Sequence, residues 1–458
     1  MPPKIAVLLC LLLSACAVQR YDPMPLDAAS SRAALASRSL DSAGLREYIQ
    51  SKSTMSEWPA RRWNLERLTL AAFYFNPELE AARSRLAAFD AAVTTAGQAP
   101  NPTLQLPLQY ALNPNAGDAA WSLGLALDIP IETHGKRGHR INQAGHAADA
   151  ARLEVAGVAW NLRSQLRDQL LGLWLNTEKA SLLRQQVETD QALLSMLDKR
   201  LQQGYVPARD LNQQQLALIQ SNRELLASRR ELDAARIRIA GLLGVPPGAL
   251  DGVELDLGEF ARTAPPPAPD RLQSLALLNR TDVLAALASY EASQAALQLE
   301  VARQVPDLHL GPGYTLDQGV KKLGFDFSGI ELPIFNRNEG PIAQARANRQ
   351  EAAARVMQAQ ARAWTELDGA LSAWRLAEEA QQQAGRQRAL QQAQLAAVRR
   401  AFELGEDDRL SLELNRKTDL SARLALLDAQ YLAQQALGRI EDAIQRPLSA
   451  IDQPFAHP

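Results

Sequence analysis

Three histidines, His134, His139 and His146, are the side chains here whose type could hold a metal, and His139 and His146 would share one face of a helix. A zinc-type site needs ligands at i, i+4 spacing or carboxylates and thiolates close by. Neither surrounds these three, so they read as polar residues at a junction between elements and not as a metal centre. The five methionines are too scattered for a soft-metal relay. No P-loop, no G-x-S-x-G and no H-E-x-x-H occurs. With no catalytic constellation and no cofactor motif, the chain reads as a non-enzyme whose energy source must lie in a partner.

Cysteine chemistry is confined to the N-terminus. Lys4 precedes an unbroken apolar run from Ile5 to Leu13, followed by small residues. This is the pattern of a secretory signal, too short to span a membrane as a helix. Leu13, Ser14, Ala15 and Cys16 resemble the bacterial lipobox, in which the cysteine is acylated and becomes the new N-terminus. Cys10 lies inside the signal, so residues 1–15 would leave with it and Cys16 would be the sole cysteine of the mature chain. No disulfide and no thiolate metal site is then available.

The whole chain has a formal net charge of −2, and cleavage at Cys16 removes only Lys4 from that balance. A chain so near neutrality has no electrostatic footprint for nucleic acid. After the signal, no stretch approaches the roughly 20 apolar residues that a membrane helix requires. If the mature chain crosses a membrane, it must do so with strands.

The elements that would position these residues occur twice. NPTLQL (from Asn101), DIPI (from Asp128) and LQQGYVPARDL (from Leu201) are answered by VPDLHL (from Val305), ELPI (from Glu331) and FELGEDDRLSL (from Phe402). Pro102 pairs with Pro306, Pro130 with Pro333, Gly204 with Gly405 and Pro246 with Pro447, at a near-constant offset. Such a repeat means two copies of one supersecondary unit. The first spans residues 63–244 and the second 271–447, after a tether over 16–62 and before a tail over 448–458. Residues 245–270, rich in Pro, Gly and Asp, form either a linker or a packed collar, and the collar is the favoured reading.

Each copy predicts two long helices, over 135–203 and 208–243, then 339–404 and 409–445. Ala159, Leu166, Leu173, Ala180, Val187, Leu194 and Leu201 recur every seven residues, as do Leu211, Leu218, Leu225, Leu232 and Ile239. That is the seam of a coiled coil. Helices of nearly seventy residues would run about 100 Å. Each copy also predicts a hairpin, with strands at 103–112 and 121–130, then 307–316 and 323–333. Trp121, Leu123, Leu125 and Leu127 alternate with Ser122, Gly124, Ala126 and Asp128, and Phe325 and Phe327 take the apolar side in the second copy. About ten alternating residues with an aromatic at one end suit an outer-membrane strand. His309, between Leu308 and Leu310, would then face the inside of a barrel.

The junctions LPIFNRNEGPIAQARA (Leu332 to Ala347) and IPIETHGKRGHRINQA (Ile129 to Ala144) carry a resemblance to the TolC family of outer-membrane efflux proteins, most like its cobalt-zinc-cadmium cation branch. It implies a mostly α chain with a small β part. Four transmembrane strands per chain would join a trimeric 12-stranded β-barrel, continued by a long periplasmic α-helical coiled-coil barrel. Open edges demand association of at least two copies; the number three comes from the resemblance. The resemblance makes the helix-helix turns a periplasmic gate and adaptor contact, at Gly204, Tyr205, Asp210 and Leu211 in the first copy and Gly405, Ser411 and Leu412 in the second. Glu413 and the pair Asp407 and Asp408 lie close by and could supply an acidic constriction. The implied partners are a homotrimer, outer-membrane lipid, a periplasmic adaptor (membrane fusion) protein and an inner-membrane pump, the RND type among the candidates. The implied role is the passive channel of a tripartite efflux system for metal cations or small toxic organics, in the outer membrane of a Gram-negative bacterium. A periplasmic coiled-coil lipoprotein scaffold or adaptor without a pore is the alternative, and the alternation at Trp121 to Pro130 separates the two.

The lipobox generates a direct test. Cys16→Ala, with the signal otherwise intact, should abolish metabolic labelling of the mature protein by a fatty acid. An unmodified mature N-terminus in the wild type, seen by mass spectrometry, would remove the lipid anchor from the account.

Overall fold

Proline-free sequence and seven-residue spacing produce the dominant elements. The computed structural model describes residues 20–52, 58, 62–114, 116–327 and 331–450; Cys16 and the signal lie outside them. In chain order the helices are α1 (Ala28–Ala36), α2 (Ala43–Lys52), α3 (Leu65–Phe75), α4 (Pro77–Gly97), α5 (Lys136–Gln202), α6 (Ala208–Leu243), α7 (Pro269–Asn279), α8 (Thr281–Ala302), α9 (Glu339–Glu403) and α10 (Arg409–Ile444). Helices α5 and α9 have 67 and 65 residues, which at 1.5 Å per residue is about 100 Å each. Leu166, Leu173, Ala180 and Val187 of the heptad series are buried, as are Leu225 and Ile239 of its partner. α5 thus packs on α6 along that seam, and α9 packs on α10.

The strands are β1 (Arg62–Trp63), β2 (Thr103–Gln105), β3 (Leu108–Tyr110), β4 (Trp121–Ile131), β5 (Glu254–Leu255), β6 (Leu308–Asp317) and β7 (Val320–Phe327). β2 and β3 pair with β4 in one continuous antiparallel register, Thr103 opposite Asp128 and Tyr110 opposite Trp121. Pro107 interrupts the ladder because it has no N–H, yet its carbonyl still accepts from Gly124 N at 2.8 Å. The chain therefore builds an antiparallel sheet in the order β2/β3, β4, β6, β7. The second hairpin closes on two residues, Gln318 and Gly319, both at positive φ (46° and 91°), as the tightest right-twisted hairpin turn requires. This moves its strands from the expected 307–316 and 323–333 to 308–317 and 320–327, because the pairing runs right up to the turn.

Midway along the long helices a collar surrounds them. β1 and β5 pair in parallel, Trp63 opposite Leu255. Leu250 and Phe260 of the connector are buried with Trp63, Leu68, Leu170 and Ile239 in one core. Part of the segment expected as a tether joins this core: Leu45 and Ile49 of α2, four apart on one face, are buried. Arg38 donates to the carbonyls of Phe75 (2.9 Å) and Gly244 (2.7 Å), fastening the N-terminal segment where α3 and α6 end.

Between the two coils, α5 and α10 run antiparallel along a polar seam. From the collar outward it contains Ser164 donating to Asp442 (2.7 Å), Arg167 on Glu441 (3.4 Å), Lys179 on Asp428 (3.3 Å), Lys417 on Asp190 (2.7 Å) and Arg200 on Asp408 (2.6 Å). Burial pushes the Asp442 carboxyl up, against the pull of the Ser164 and Trp160 donors.

Gly244 ends α6 in the left-handed region (φ 73°), and a Cβ there would lie 2.7 Å from the Phe75 carbonyl oxygen. Gly244→Ala therefore combines a strained φ with a backbone collision, and should cost about 1–3 kcal/mol. Gly241, inside the same helix with open space around its Cα, is the control, since alanine there should be neutral or gain up to about 1 kcal/mol. Helical circular dichroism followed through a thermal melt would show a lowered midpoint for Gly244→Ala alone.

Candidate functional site

Two places gather side chains beyond what packing requires: the four-stranded sheet, and the far tips of the paired helices. On the sheet, alternation and register bring most large apolar residues to one face, Val320 opposite Asp317 being an exception. Leu104, Leu108 and Tyr110 meet Leu127, Leu123 and Trp121; Leu125 meets Tyr314 and Leu123 meets Leu316; Pro312 meets Phe325 and Leu310 meets Phe327. Tyr110 and Trp121 contact edge to face at 4.8 Å at the hairpin end. Trp121, Leu123, Leu125, Phe325 and Phe327 are 50–76 % exposed, while Leu127 is half-buried. An exposed apolar face continuous across four strands is far more than a water-soluble surface carries by chance.

The opposite face is small and polar. Ala126 lies across from Gly313, and Pro107 packs so closely on Gly124 that a Cβ would sit 2.6 Å from its ring. Ser122 donates to Asp317 (2.5 Å), which also pairs with Lys322 (2.8 Å). His309 Nδ1 is 2.9 Å from Asp128 Oδ1, so His309 does share the face of the small residues. Below the sheet, Lys136 binds Asp307 (2.7 Å) and Glu132 binds Arg137 and Arg140. His134 and Gly135 turn the chain into α5 with φ of 55° and 70°. His139 and His146 follow on that helix, and among the described residues no three His, Cys, Asp or Glu side chains gather as metal ligands.

At the tips, Gly204 and Gly405 both adopt φ of 77°. Each closes its helix with the same two bonds: Gly204 N to Leu201 O and Tyr205 N to Arg200 O, then Gly405 N to Phe402 O and Glu406 N to Ala401 O. These are Schellman caps, the reason glycine stands at both positions. Tyr205 is exposed and Leu211 half-buried. The acidic residues separate into two groups. Asp210 pairs with its neighbour Arg209 (3.4 Å), and Glu413 is buried and held by Arg416 (2.8 Å) on its own helix, with Leu412 buried beside it. Asp407 and Asp408 instead organise the second turn. Asp408 caps α10 through Ser411 N (2.8 Å), Asp407 accepts from Ser411 Oγ (2.9 Å), and Asp408 reaches Arg200 at the end of α5. The Arg200 guanidinium holds the Asp408 carboxyl below the usual carboxylate range. Arg200 is the tip residue that sequence reasoning missed. Its only local signal is a basic side chain in the last turn of a long helix, a common stabilising feature.

Four strands with one apolar exposed face, joined to paired helices of about 100 Å, are the architecture of an outer-membrane efflux protein chain. The chain belongs to the outer membrane efflux protein family, whose model matches residues 72–245 and 272–444, one span for each repeat. It is 26 % identical over 271 residues to the cobalt-zinc-cadmium resistance protein CzcC of Cupriavidus metallidurans, covering 59 % of this chain and 63 % of that protein. It is 25 % identical over 333 residues to the pyoverdine export outer membrane protein OpmQ of Pseudomonas putida, covering 70 % and 67 %. The solved outer membrane protein VceC of Vibrio cholerae shares the fold, with a TM-score of 0.68 at 19 % identity over 84 % of this chain and 96 % of that one.

The two sheet faces generate opposite expectations. Arginine at the bilayer midplane on a lipid face costs about 2–4 kcal/mol, whereas inner positions tolerate charge. Leu125→Arg should therefore lower the amount of membrane-inserted, heat-modifiable oligomer far more than Ala126→Arg. Equal tolerance would mean that the sheet does not enter lipid.

Proposed function

We propose that three copies of this chain assemble into the passive outer-membrane duct of a tripartite efflux system. The observation that carries this reading is the exposed apolar sheet with unpaired outer strands, joined directly to the long coils. In hydrocarbon every backbone polar group needs a partner, so strands span only as closed barrels, and the smallest have about eight strands. Four strands per chain therefore need other copies, and the family supplies the number three and a 12-stranded barrel. Trp121, Leu123, Leu125, Leu127, Phe325 and Phe327 face lipid in this arrangement, and the acylated Cys16 adds an anchor at the outer membrane of a Gram-negative cell. The coils reach across the periplasm toward an adaptor and an inner-membrane pump of the RND type, which supplies the energy. The cargo is metal cations or small toxic organics; CzcC is named for cobalt, zinc and cadmium resistance and OpmQ for pyoverdine export. A pore-less scaffold would leave the whole apolar face in water, which disfavours that reading.

The helical tips form the gate and the adaptor contact, with Gly204, Tyr205, Asp210 and Leu211 on one hairpin and Gly405, Asp407, Asp408, Ser411, Leu412 and Glu413 on the other. The bridge between Arg200 and Asp408 ties the two hairpins together and holds the resting state closed. An exposed pair of this kind contributes up to about 1 kcal/mol. Three copies together could thus shift the open-to-closed ratio by up to roughly a hundredfold. Because the Asp408 pKa is lowered, the bridge is intact above the ordinary carboxylate range and is lost only as pH falls through that depressed value. It does not respond to pH near neutrality.

Planar-bilayer recording tests the gate. Arg200→Asp and Asp408→Arg should each raise basal conductance, and the double charge swap should return it toward wild type. Wild-type conductance in both single variants would show that the constriction is made elsewhere.

A further inference from the structure

The apolar face of the sheet carries one charge. Register places Leu108, Leu123, Leu316 and Lys321 side by side across β3, β4, β6 and β7. Leu125, Tyr314 and Leu323 form the next row, and Phe325 and Phe327 follow down β7. Directly opposed residues share a face, so Lys321 stands on the face of these apolar side chains. It is exposed, and it is the one charged residue on that face among the described residues of the strands. The next lysine shows the contrast, because Lys322 stands on the other face and is matched by Asp317 at 2.8 Å. Lys321 has no ion pair among the described residues.

Position along the strand decides what this ammonium can meet. The turn at Gln318 and Gly319 lies at the end of the sheet remote from the helices, and Lys321 is two residues past it, about 7 Å along the strand. Leu323, Phe325 and Phe327 all lie on the helix side of it. The first hairpin marks the same boundary with an aromatic residue. Trp121 stands two before Leu123 and Gly124, as Lys321 stands two before Leu323 and Gly324, and Trp121 packs edge to face on Tyr110. Aromatic residues of this kind ring a membrane barrel at its interfaces, where a charge on the lipid side costs little. The four-carbon stem of lysine lies along apolar surface while its ammonium reaches outward.

We propose that Lys321 is a docking point for the phosphate groups of anionic lipid in the outer leaflet. The inference rests on the duct reading above, which puts the hairpin turns outermost because the helices leave the other end of the sheet. No carboxylate of the described strands shares that face, so the counter-ion comes from outside the chain. A phosphate suits it, since the ammonium is a compact point charge with three donors and lysine is a common phosphate binder. Acyl chains would pack on Leu316 and Leu323 with the head group at Lys321, three times around the barrel.

The test uses the full-length oligomer in phosphatidylcholine vesicles, with and without bisphosphorylated lipid A, and reads the temperature at which the heat-modifiable oligomer dissociates on a gel. The phosphorylated lipid should raise that temperature in wild type, and its dephosphorylated form should not. Lys321→Gln should lose most of the rise and Lys321→Glu all of it, while Lys321→Arg and Lys322→Gln should keep it. Potassium chloride at about 1 M, which shortens screening to about 3 Å, should shrink the wild-type rise without any variant. The docking point would be overturned, with the duct intact, by no rise in wild type, a rise undiminished by salt, or a full rise in Lys321→Gln or Lys321→Glu. An equal rise with dephosphorylated lipid A or with inorganic phosphate alone would overturn it too. Failure of wild type to form a heat-modifiable oligomer in the vesicles would overturn the duct reading and the docking point together.

Discussion

The constraint on which the rest depends is the hydrogen-bonding demand of a backbone in hydrocarbon. A strand in lipid cannot leave its N–H and C=O groups unpaired, and this chain presents a sheet whose two outer strands, β2/β3 and β7, have free edges among the described residues. In the proposed duct the sheet meets that demand beside other copies of itself. Its composition is fitted to the same end: apolar bulk on one face, glycine, alanine and short polar residues on the other. In the proposed arrangement, with the sheet in lipid, both long helices leave it toward the same side. Their length then reads as a distance to be spanned, because no core of one chain needs helices of 67 and 65 residues.

The internal repeat explains how so extended a chain keeps its shape. Corresponding positions do the same job with different chemistry. Asn76, at the break between α3 and α4, donates to the Leu242 carbonyl at the end of α6 (2.8 Å). In the second copy Arg280 donates to the Ala443 carbonyl at the end of α10 (3.3 Å). Asn76 also caps its own helix through Glu78 N and Leu79 N. Arg280 cannot accept a hydrogen bond, so there Gln445 takes over, accepting from Thr281 N (2.7 Å). Arg280 is in turn held by Asp282 and Glu366. The backbone geometry is shared while the side chains have diverged, which is why the offset between copies is easier to see at prolines and glycines than at polar positions.

What could be read from sequence follows the same division. The long helices were legible from heptad spacing in the first copy and from almost proline-free sequence at the repeat offset in the second, and the turns from the glycines Gly204 and Gly405, both at φ of 77°. The first hairpin was legible from alternation at Trp121 to Pro130, and the strand runs one residue further, to Ile131. The second was blurred at Gly311, Pro312 and Gly313, yet β6 runs straight through them, since strand pairing there is set by neighbours on both sides. The turn at Gln318 and Gly319 was hidden because glutamine seldom adopts positive φ. Arg200 and Asp408 lie 208 residues apart, and no local pattern announces a pair at that distance. Glu413 looked available beside the tip, but its burial depends on how α10 seats against its neighbours, which one helix alone does not reveal.

That seating is governed by the polar seam. α5 and α10 do not interlock by apolar knobs alone; buried Asp190 accepts from Gln214 of α6 (2.9 Å) and pairs with Lys417 of α10 (2.7 Å), joining three helices at one carboxylate. Higher up, Arg167 occupies a notch at Gly438, where a Cβ would collide with its Nη1, and binds the Gln434 carbonyl (3.0 Å). Buried ion pairs contribute little net stability, because desolvation offsets the attraction, but breaking one leaves an uncompensated charge. A slide of α10 along α5 by one turn would separate Asp190 from Lys417 and drive Arg167 into side chains in place of the Gly438 notch. An apolar seam would penalise such a slip far less, since one leucine replaces another. The polar seam therefore fixes the register of one coil on the other over most of their length. At the tips the seam ends in the Arg200 and Asp408 pair, which is exposed and so contributes little to that register.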